Sequence, residues 1–403
     1  MLGEREMQIN YITGYAGTGK STKLLGLLKS VDPETSIVLC PTHKSIKRLT
    51  DSMGLLLVEV KTIHSILGWI PGINEDAEHI NHIDVTIKLD KPILDYKHII
   101  IDEGGMMSED MFMELTSKIE EVHNFETEDI IIDVFLDPYQ LLPVKGKQIQ
   151  IDPDTTTNLV VQHRSESIDI VNAFTKFVRF LEGSNLDLVI KPSENIIFTN
   201  GSIKEFELGD RLLCYTNKEV GIMNAAIARH LGIKDYVGQE VQLGNMTSTI
   251  VVDEFYEPSL EELLMAFNLG NLKLQNNQIS AKYLEPSLQA LIDHKDISFI
   301  VSNDFMIPVI KGIGNANEVL KKSKEKAVEN KSMFKWVYAL GRAYTMDYSF
   351  ASTVHKAQGS EFNRVWINKE DIQKSIMNDY YGNYARLMYV ALSRARKKIF
   401  IYK

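Results

Sequence analysis

Gly14-Tyr15-Ala16-Gly17-Thr18-Gly19-Lys20-Ser21 is the stretch that decides how this chain of 403 residues is read. The apolar run Gln8 to Thr13 before it reads as a strand and an amphipathic stretch follows, so the glycines fall in a strand-to-helix turn. Glycine lets the backbone turn tightly enough for its N–H groups to face one anion, and the helix N-terminus behind them adds positive dipole. This is a phosphate loop in the context the pattern requires. Gly14, Ala16, Gly17, Thr18, Gly19 and Thr22 are expected to form the cradle, Lys20 to reach the β- and γ-phosphates, and the Ser21 hydroxyl to ligate Mg²⁺. A second anionic element is expected on a neighbouring strand, and Ile99-Ile100-Ile101-Asp102-Glu103 supplies it, an apolar run ending in two carboxylates. Asp102 is expected to hold Mg²⁺ and Glu103 to take the proton from an attacking water.

Outward from these motifs, short apolar runs alternate with amphipathic stretches up to about residue 140. Gln8 to Thr13, Ser36 to Cys40, Leu55 to Val60, His98 to Ile101 and Ile130 to Leu136 read as strands, with helical patterns between several of them. That is the βαβ rhythm of a parallel sheet covered by helices on both faces, an α/β fold. Gly68 to Ile93 interrupts it: the stretch is polar, holds Pro71, Gly72 and Pro92, and reads as an insertion. Further on, Asp169 to Glu182 is helical, Leu212 to Tyr215 and Phe350 to Val354 are strand candidates, and Tyr380 to Lys403 ends in a helix and a strand. Tyr236 to Met346 differs in texture, with β-like segments around Gly244-Asn245, a capping-box sequence at Ser259-Leu260-Glu261-Glu262 and a Lys-rich run from Lys321 to Lys326. The expected division is a first α/β unit of residues 1–67 and 94–158 with an insertion at 68–93, and a second of 159–235 and 347–403. The second carries a small, partly β inserted domain at 236–346.

A phosphate loop alone fits any ATPase of that class, and the remaining motifs narrow the choice. Pro41-Thr42-His43-Lys44-Ser45, Lys61-Thr62-Ile63-His64-Ser65, Asp137-Pro138-Tyr139-Gln140-Leu141-Leu142-Pro143-Val144 and Gln162-His163-Arg164-Ser165 follow one another along the chain. Tyr215-Thr216-Asn217, Thr353-Val354-His355-Lys356-Ala357-Gln358-Gly359-Ser360-Glu361-Phe362 and Tyr389-Val390-Ala391-Leu392-Ser393-Arg394-Ala395-Arg396 complete the series. The ordered set resembles the helicase motifs of superfamily 1, in the combination of the Dda and RecD-like branch, and spans Gly14 to Arg396.

The resemblance implies two RecA-like motor domains with ATP in the cleft between them and single-stranded DNA across their tops. It implies that Gln140 senses the γ-phosphate, that Arg164 and Arg394 act as arginine fingers, and that Glu361 approaches the ribose. Arg396 is read as a surface or DNA-facing charge instead. Thr42, His43, Thr62, His64, Asn217, His355 and Lys356 match positions that contact the strand in the family. Such groups bind phosphates and sugars without reading bases, which suits movement along arbitrary sequence. Trp69 is read as a core residue, with base stacking the alternative. Three features depart from the family pattern: Leu136 precedes Asp137 where Gly is usual, Gly104 and Gly105 stand where a small hydroxyl residue is common, and Gln8 lies within the first strand. Relatives carry an adenine-contacting Gln on a helix upstream of that strand, so Gln8 does not inherit its role.

Composition agrees with a folded, nonfibrous chain: 44% hydrophobic and 24% charged residues, with a formal net charge of -10. That acidity is segregated. Asp102 to Asp137 holds twelve acids against Lys118, whereas Arg364 to Lys403 holds nine bases against Glu370, Asp371 and Asp379, so a polyanionic partner remains compatible. Cys40 and Cys214 are too few for a disulfide framework or a four-cysteine zinc site. The charged start, MLGEREMQ, and the lack of an 18-residue apolar run predict neither secretion nor membrane spanning, and so a cytoplasmic protein, or one of the host cytoplasm if viral.

The expected function is an ATP-dependent DNA helicase using ATP and Mg²⁺. By resemblance it moves 5′ to 3′ on single-stranded DNA and unwinds forked duplex, with Gly68 to Ile93 as the candidate strand-separating wedge. Action as a monomer, beside replication, recombination or repair proteins, is the accompanying expectation. Alternatives are a translocase that strips proteins from DNA with little unwinding, a P-loop nucleotide kinase, and a nucleic-acid-binding protein without hydrolysis. The kinase gives no reason for His355-Lys356 or Arg394, and intact Lys20, Asp102 and Glu103 argue against the last.

Overall fold

A computed structural model describes residues 7–67, 69–73, 79–83, 96–122, 129–143, 147–149, 152–163, 167–184, 187–243, 249–256, 274–275, 278–279, 297–302, 305–310, 344–377 and 381–402. The described chain opens with β1 (Met7–Gly14), α1 (Lys20–Leu28), β2 (Ser36–Cys40), α2 (His43–Met53), β3 (Glu59–Thr62) and α3 (Ile63–Leu67). After the insertion strands β4 (Trp69–Ile73) and β5 (His79–Ile83) come β6 (His98–Ile101), α4 (Glu109–Val122), β7 (Ile130–Leu136) and β8 (Thr155–Leu159). Six of these strands form one sheet in the order β3-β2-β6-β7-β1-β8, and every pairing in it is parallel. Ser36–Cys40 is buried at every position, as are the isoleucines of His98–Ile101, because helices cover both faces of such a sheet. Phe112, Leu115 and Ile119 of α4 pack on one face, and Leu24, Leu28, Leu49 and Met53 of α1 and α2 on the other.

One strand expectation shifts. Leu55 and Leu57 are 98% and 85% exposed, and pairing with β2 is confined to Glu59–Thr62. α2 occupies the chain as far as Met53 and Gly54 turns out of it with φ 61°, so Leu55–Val58 bridges helix to edge strand without a strand partner among the described residues. Apolar character alone predicted a strand there; only backbone pairing makes one.

The second parallel sheet begins after α5 (Ile168–Leu181), with β9 (Ile196–Phe198) and β10 (Arg211–Cys214), from which the chain runs into α6 (Asn217–His230). There follow β11 (Glu240–Leu243), β12 (Thr249–Val251), β13 (Glu254–Tyr256), the paired β14 (Leu274–Gln275) and β15 (Gln278–Ile279), β16 (Ile297–Ser302), β17 (Phe305–Ile310) and β18 (Tyr344–Tyr348). The chain then returns through β19 (Ala351–Thr353), α7 (Val354–Ala357), β20 (Phe362–Asn368), α8 (Lys369–Gln373), α9 (Tyr381–Leu392) and β21 (Ala395–Tyr402). This sheet has the order β19-β10-β20-β21-β9, with β10, β20, β21 and β9 parallel. The strand expected over Phe350 to Val354 is shorter, because the Thr353 hydroxyl accepts from Lys356 N–H and starts a helix at Val354. Behind the sheet α9 packs on α5, with Phe174 edge-on to Tyr389 and Phe177 edge-on to Tyr384.

Contacts divide the chain into two compact units. One, Met1–Gly72, Asn81–Glu219 and Ser352–Lys403, holds both parallel sheets apart from Ala351 of β19. The other, Ile73–Ile80 and Val220–Ala351, holds a mixed sheet of order β12-β11-β18-β17-β16-β13. In it β11 pairs antiparallel with β12 and β18, β17 pairs parallel with β18, and β16 pairs antiparallel with β17 and β13. Asn224, fully buried, ties that unit together by donating to Asp347 and the Tyr348 carbonyl and accepting from Ala351 N–H. The insertion expected at Gly68 to Ile93 contains the two-stranded sheet β4-β5. Gly68, the side chain of Trp69, the Gly244-Asn245 turn, the capping box at Ser259 and the lysines 321–326 lie outside the described residues.

Candidate nucleotide site and strand-binding surface

Strand order explains why residues far apart in sequence meet. β6, β7 and β1 are consecutive in the first sheet, so the loops leaving their C-terminal ends, at Asp102, Asp137 and Gly14–Lys20, lie side by side at spacings of about 5 Å. Ligands of open parallel sheets bind at that edge. Gly17 and Gly19 adopt φ 85° and 88°, open to glycine with little penalty, and α1 begins directly behind them. Lys20 Nζ donates to the carbonyls of Gly14 and Tyr15 and lies 3.8 Å from Asp137 Oδ2. Ser21 and Thr22 open α1 with exposed side chains.

Glu103 sits in the left-handed region at φ 54° and leads into a tight turn over Gly104–Met106. A Cβ on Gly104 would approach Val134 Cγ1 to 2.5 Å, and one on Gly105 would meet the Asp137 carbonyl at 3.0 Å. The turn is thus packed against β7 and the loop after it, and the expected family hydroxyl has no room here. Burial and the neighbouring Glu103 charge push Asp102 up, to about 6. Burial also acts to raise Glu103, but Arg48, Lys20 and Arg394 outweigh it and hold that carboxylate below its usual range. Asp137 is raised by burial against the pull of Lys20 and the Tyr389 hydroxyl.

A cavity of about 400 Å³ unites these groups, lined by Lys20, Ser21, Asp102, Glu103 and Gln140 from the first sheet and its loops. Glu361, Arg394 and Arg396 line it from the second. Buried Gln140 accepts from Gln358 Nε2 at 2.8 Å, a direct bridge between the two sheets' loops. Arg394 is 1% exposed, and its guanidinium donates to the carbonyls of Val390 and Ser360 and to Ser393 Oγ. Arg396, read as a surface or DNA-facing charge, is exposed, and it forks onto Glu361 Oε2 at 2.9 and 2.7 Å on the cavity rim. Ser21 and Asp102 offer hard oxygens on one wall, and no group of three or more His, Cys, Asp or Glu able to enclose a metal occurs among the described residues. That donor set fits Mg²⁺, which binds through one or two protein oxygens and completes its shell with phosphates and water.

Several residues of this site carried no assigned role in the sequence. Tyr389, fully buried on α9, donates to Asp137 Oδ2 at 2.5 Å and accepts from Ala16 N–H at 2.7 Å, joining the phosphate loop to the second sheet's helix. Arg386 on the same helix donates to the carbonyls of Pro138 and Gln140 at 2.6 and 2.7 Å. Gln162 Nε2 and His163 N–H hold the carbonyls of Ala16 and Gly17. Arg48 on α2 reaches Asp102 at 2.8 Å and Glu103 at 3.0 Å. Tyr389 and Gln162 lie inside quoted motifs, a signal that was available; Arg48 lies beyond one, and nothing local marked it.

The expected strand contacts cluster at strand-to-helix junctions. Thr42, Thr62, Thr216 and Thr353 each accept from the N–H three residues on, at Ser45, Ser65, Glu219 and Lys356. Their oxygens therefore cap helices, while the Thr216 hydroxyl donates to Asp371 and the Thr42 hydroxyl lies 2.9 Å from Ser45 Oγ. Thr42 follows β2 and Thr62 ends the adjacent β3, with His64 half-buried two residues on. Asn217 and His355 are exposed, and Lys356 half-buried beside them in sequence. Buried Asp371 accepts from the N–H groups of Tyr215 and Thr216 and pairs with Lys374, which shapes the loop that presents Asn217. Arg164 and the side chain of His43 lie outside the described residues.

Residues 3–144 match the AAA domain family model and residues 348–402 that of the UvrD-like helicase C-terminal domain. Uncharacterized protein MJ1519 of Methanocaldococcus jannaschii is 25% identical over 98% of this chain, which spans 36% of the length of that curated relative. Among solved structures, Pif1 helicase from Candida albicans is similar at a TM-score of 0.50 and 14% identity, over 98% of this chain and 91% of that one. Pif1 helicase from Bacteroides in complex with ADP-AlF3 and ssDNA gives 0.47 and 15%, over 98% and 89%. No helix among the described residues is long and apolar enough to cross a membrane. The chain is thus similar to an AAA domain over its first part and to a UvrD-like helicase C-terminal domain over its last.

Proposed function

We propose that this protein is an ATP-dependent DNA helicase that moves 5′ to 3′ along single-stranded DNA and unwinds duplex. The supporting observation is the cavity walled by Lys20, Asp102, Glu103 and Gln140 on one side and Glu361 and Arg394 on the other, bridged by Gln140 and Gln358. A site lined from two sheets can couple nucleotide occupancy to their relative movement, the two-state element a motor needs. In this reading residues 1–67 and 94–158 form the first motor domain, 159–235 and 347–403 the second, 68–93 the wedge and 236–346 an accessory domain.

Lys20, which lies on the Gly14 and Tyr15 carbonyls, turns to the β- and γ-phosphates of bound ATP, which the N–H groups of the Gly14–Thr22 segment also meet. Ser21 and Asp102 hold Mg²⁺, whose chemistry is to neutralise charge on the phosphate oxygens. Glu103 takes the proton from the attacking water, Gln140 orients groups at the γ-phosphate, and Arg394, with Arg164, supplies guanidinium charge to the transition state. Glu361 meets the ribose once it parts from Arg396. Thr42, His43, Thr62, His64, Asn217, His355 and Lys356 form the track on the strand, binding backbone rather than bases. A monomer in the cytoplasm, working beside replication, recombination or repair proteins on forked DNA, fits this reading.

ATP turnover measured with and without single-stranded DNA and RNA, followed by unwinding of duplexes with a 5′ or a 3′ tail, tests the proposal. Turnover that DNA stimulates, with unwinding from the 5′ tail, is expected; turnover indifferent to any nucleic acid overturns it.

A further inference from the structure

Arg48 occupies a position that the hydrolytic roles do not explain. It lies on α2, six residues after Thr42 and so about 9 Å along the helix. Its guanidinium forks between two carboxylates, with Nη2 2.8 Å from Asp102 Oδ2 and Nη1 3.0 Å from Glu103 Oε1. Nη1 also faces the Gly359 carbonyl at 3.4 Å, just past the short helix that carries His355 and Lys356. One side chain therefore touches the proposed general base, the proposed metal ligand, and a segment of the second sheet's chain. Two features make the arrangement conditional. Both carboxylates are deeply buried while Arg48 remains a third exposed, so the cation enters from the rim and can withdraw into solvent. A guanidinium spans two carboxylates only while its planar fork stays in register with both. A displacement of α2 or of Val354–Gly359 by about 1–2 Å would take these pairs beyond hydrogen-bond distance.

We propose that Arg48 is a positioning residue that transmits occupation of the strand-binding surface to hydrolysis. In the arrangement described here it holds the Glu103 carboxylate in an ion pair, and a nucleic-acid strand seated on α2 and on His355-Lys356 shifts those segments and frees it. In the step so released, the water oxygen bonds to the γ-phosphorus as the bond to the ADP oxygen breaks, and the water proton passes to Glu103. Arg48 contributes no atom. The proposal rests on the reading of the cavity as an ATPase site, and it adds the group that keeps the base idle without a strand.

The test uses the full chain, as the parent and as Arg48→Ala, Arg48→Gln and Arg48→Lys, with ATP turnover measured at saturating and at zero oligothymidylate. The Ala and Gln variants should raise strand-free turnover about fivefold or more, in kcat rather than KM, with turnover at saturating strand changed less than about twofold. Arg48→Lys, a point charge able to keep one pair but not the fork, should fall between. A merely structural role lowers both rates together. Strand-free turnover unchanged or reduced in both variants overturns the proposal, and Arg48→Gln decides if Arg48→Ala does not fold. A parent that hydrolyses ATP without strand stimulation overturns the coupling alone, whereas a parent that hydrolyses no ATP overturns the reading of the site as well.

Discussion

Glu103 and Lys20 face the same cavity, and substitution separates the duties proposed for them. Glu103→Gln keeps the side-chain volume and loses the base, so it should bind ATP with Mg²⁺ and hydrolyse it roughly 10²-fold more slowly or worse. Lys20→Ala should lose binding and turnover together. Turnover by Glu103→Gln within about threefold of the parent removes the base assignment. Arg394 is held by Val390, Ser360 and Ser393 on the far wall and is not one of the proposed track residues. Arg394→Ala should therefore cut hydrolysis by about 10³ while single-strand binding without nucleotide stays near the parent's, read by fluorescence anisotropy. Loss of strand binding with hydrolysis retained would refute the finger role.

At the scale of elements, the loop between β10 and α6 depends on one buried carboxylate. Burial acts to raise Asp371, yet the Lys374 ammonium and the N–H groups of Thr216 and Tyr215 outweigh it and hold the group below its ordinary range. A carboxylate lowered on folding adds stability above its unfolded value, near pH 4, and loses it as pH falls through the folded value. Asp371→Asn should lower stability at pH 7 by about 2 kcal/mol and flatten the acid side of the stability profile, measured by urea unfolding from about pH 7 to pH 3. The insertion is the second element at issue. β4 and β5 pair within it, so it is more than a bare connecting loop. Replacing Gly68 to Ile93 with a Gly-Ser linker should abolish unwinding of a 5′-tailed duplex and preserve translocation on single strands. Unchanged unwinding would move the wedge elsewhere, with the domain at 236–346 the next candidate.

For the molecule as a whole, a net charge of -10 limits how strand binding can work. Among the proposed track residues Lys356 is the permanent cation; threonines, histidines and Asn217 supply the rest. Binding should then weaken only gently with salt, with a logarithmic slope of about -0.7 to -1.4, as for one or two neutralised phosphates on a single strand. Affinity titrations between about 50 and 200 mM salt measure it, and a slope steeper than about -3 would assign binding to a basic surface outside this set.

Much of the architecture was legible before any fold was known. The phosphate loop, the strands Ser36–Cys40, His98–Ile101 and Ile130–Leu136, and the closing helix and strand announce themselves because turn chemistry and continuous apolar runs are local properties. The helicase resemblance rests likewise on residues adjacent in sequence, and the two domain families bear it out. Leu55 to Val60 misled because apolar residues signal burial or pairing, and backbone partners are decided by the sheet. Gly104 and Gly105 looked like departures until β7 and the loop after it left them no room. Tyr389 and Arg48 gained their partners only when α9 met the phosphate loop and α2 lay beside the end of β6. Local sequence determines which residues can turn, pair or carry charge. Only tertiary structure decides which of those charges meet, because pairs such as Arg48 with Glu103 and Tyr389 with Ala16 are set by strand order and by the packing of two sheets.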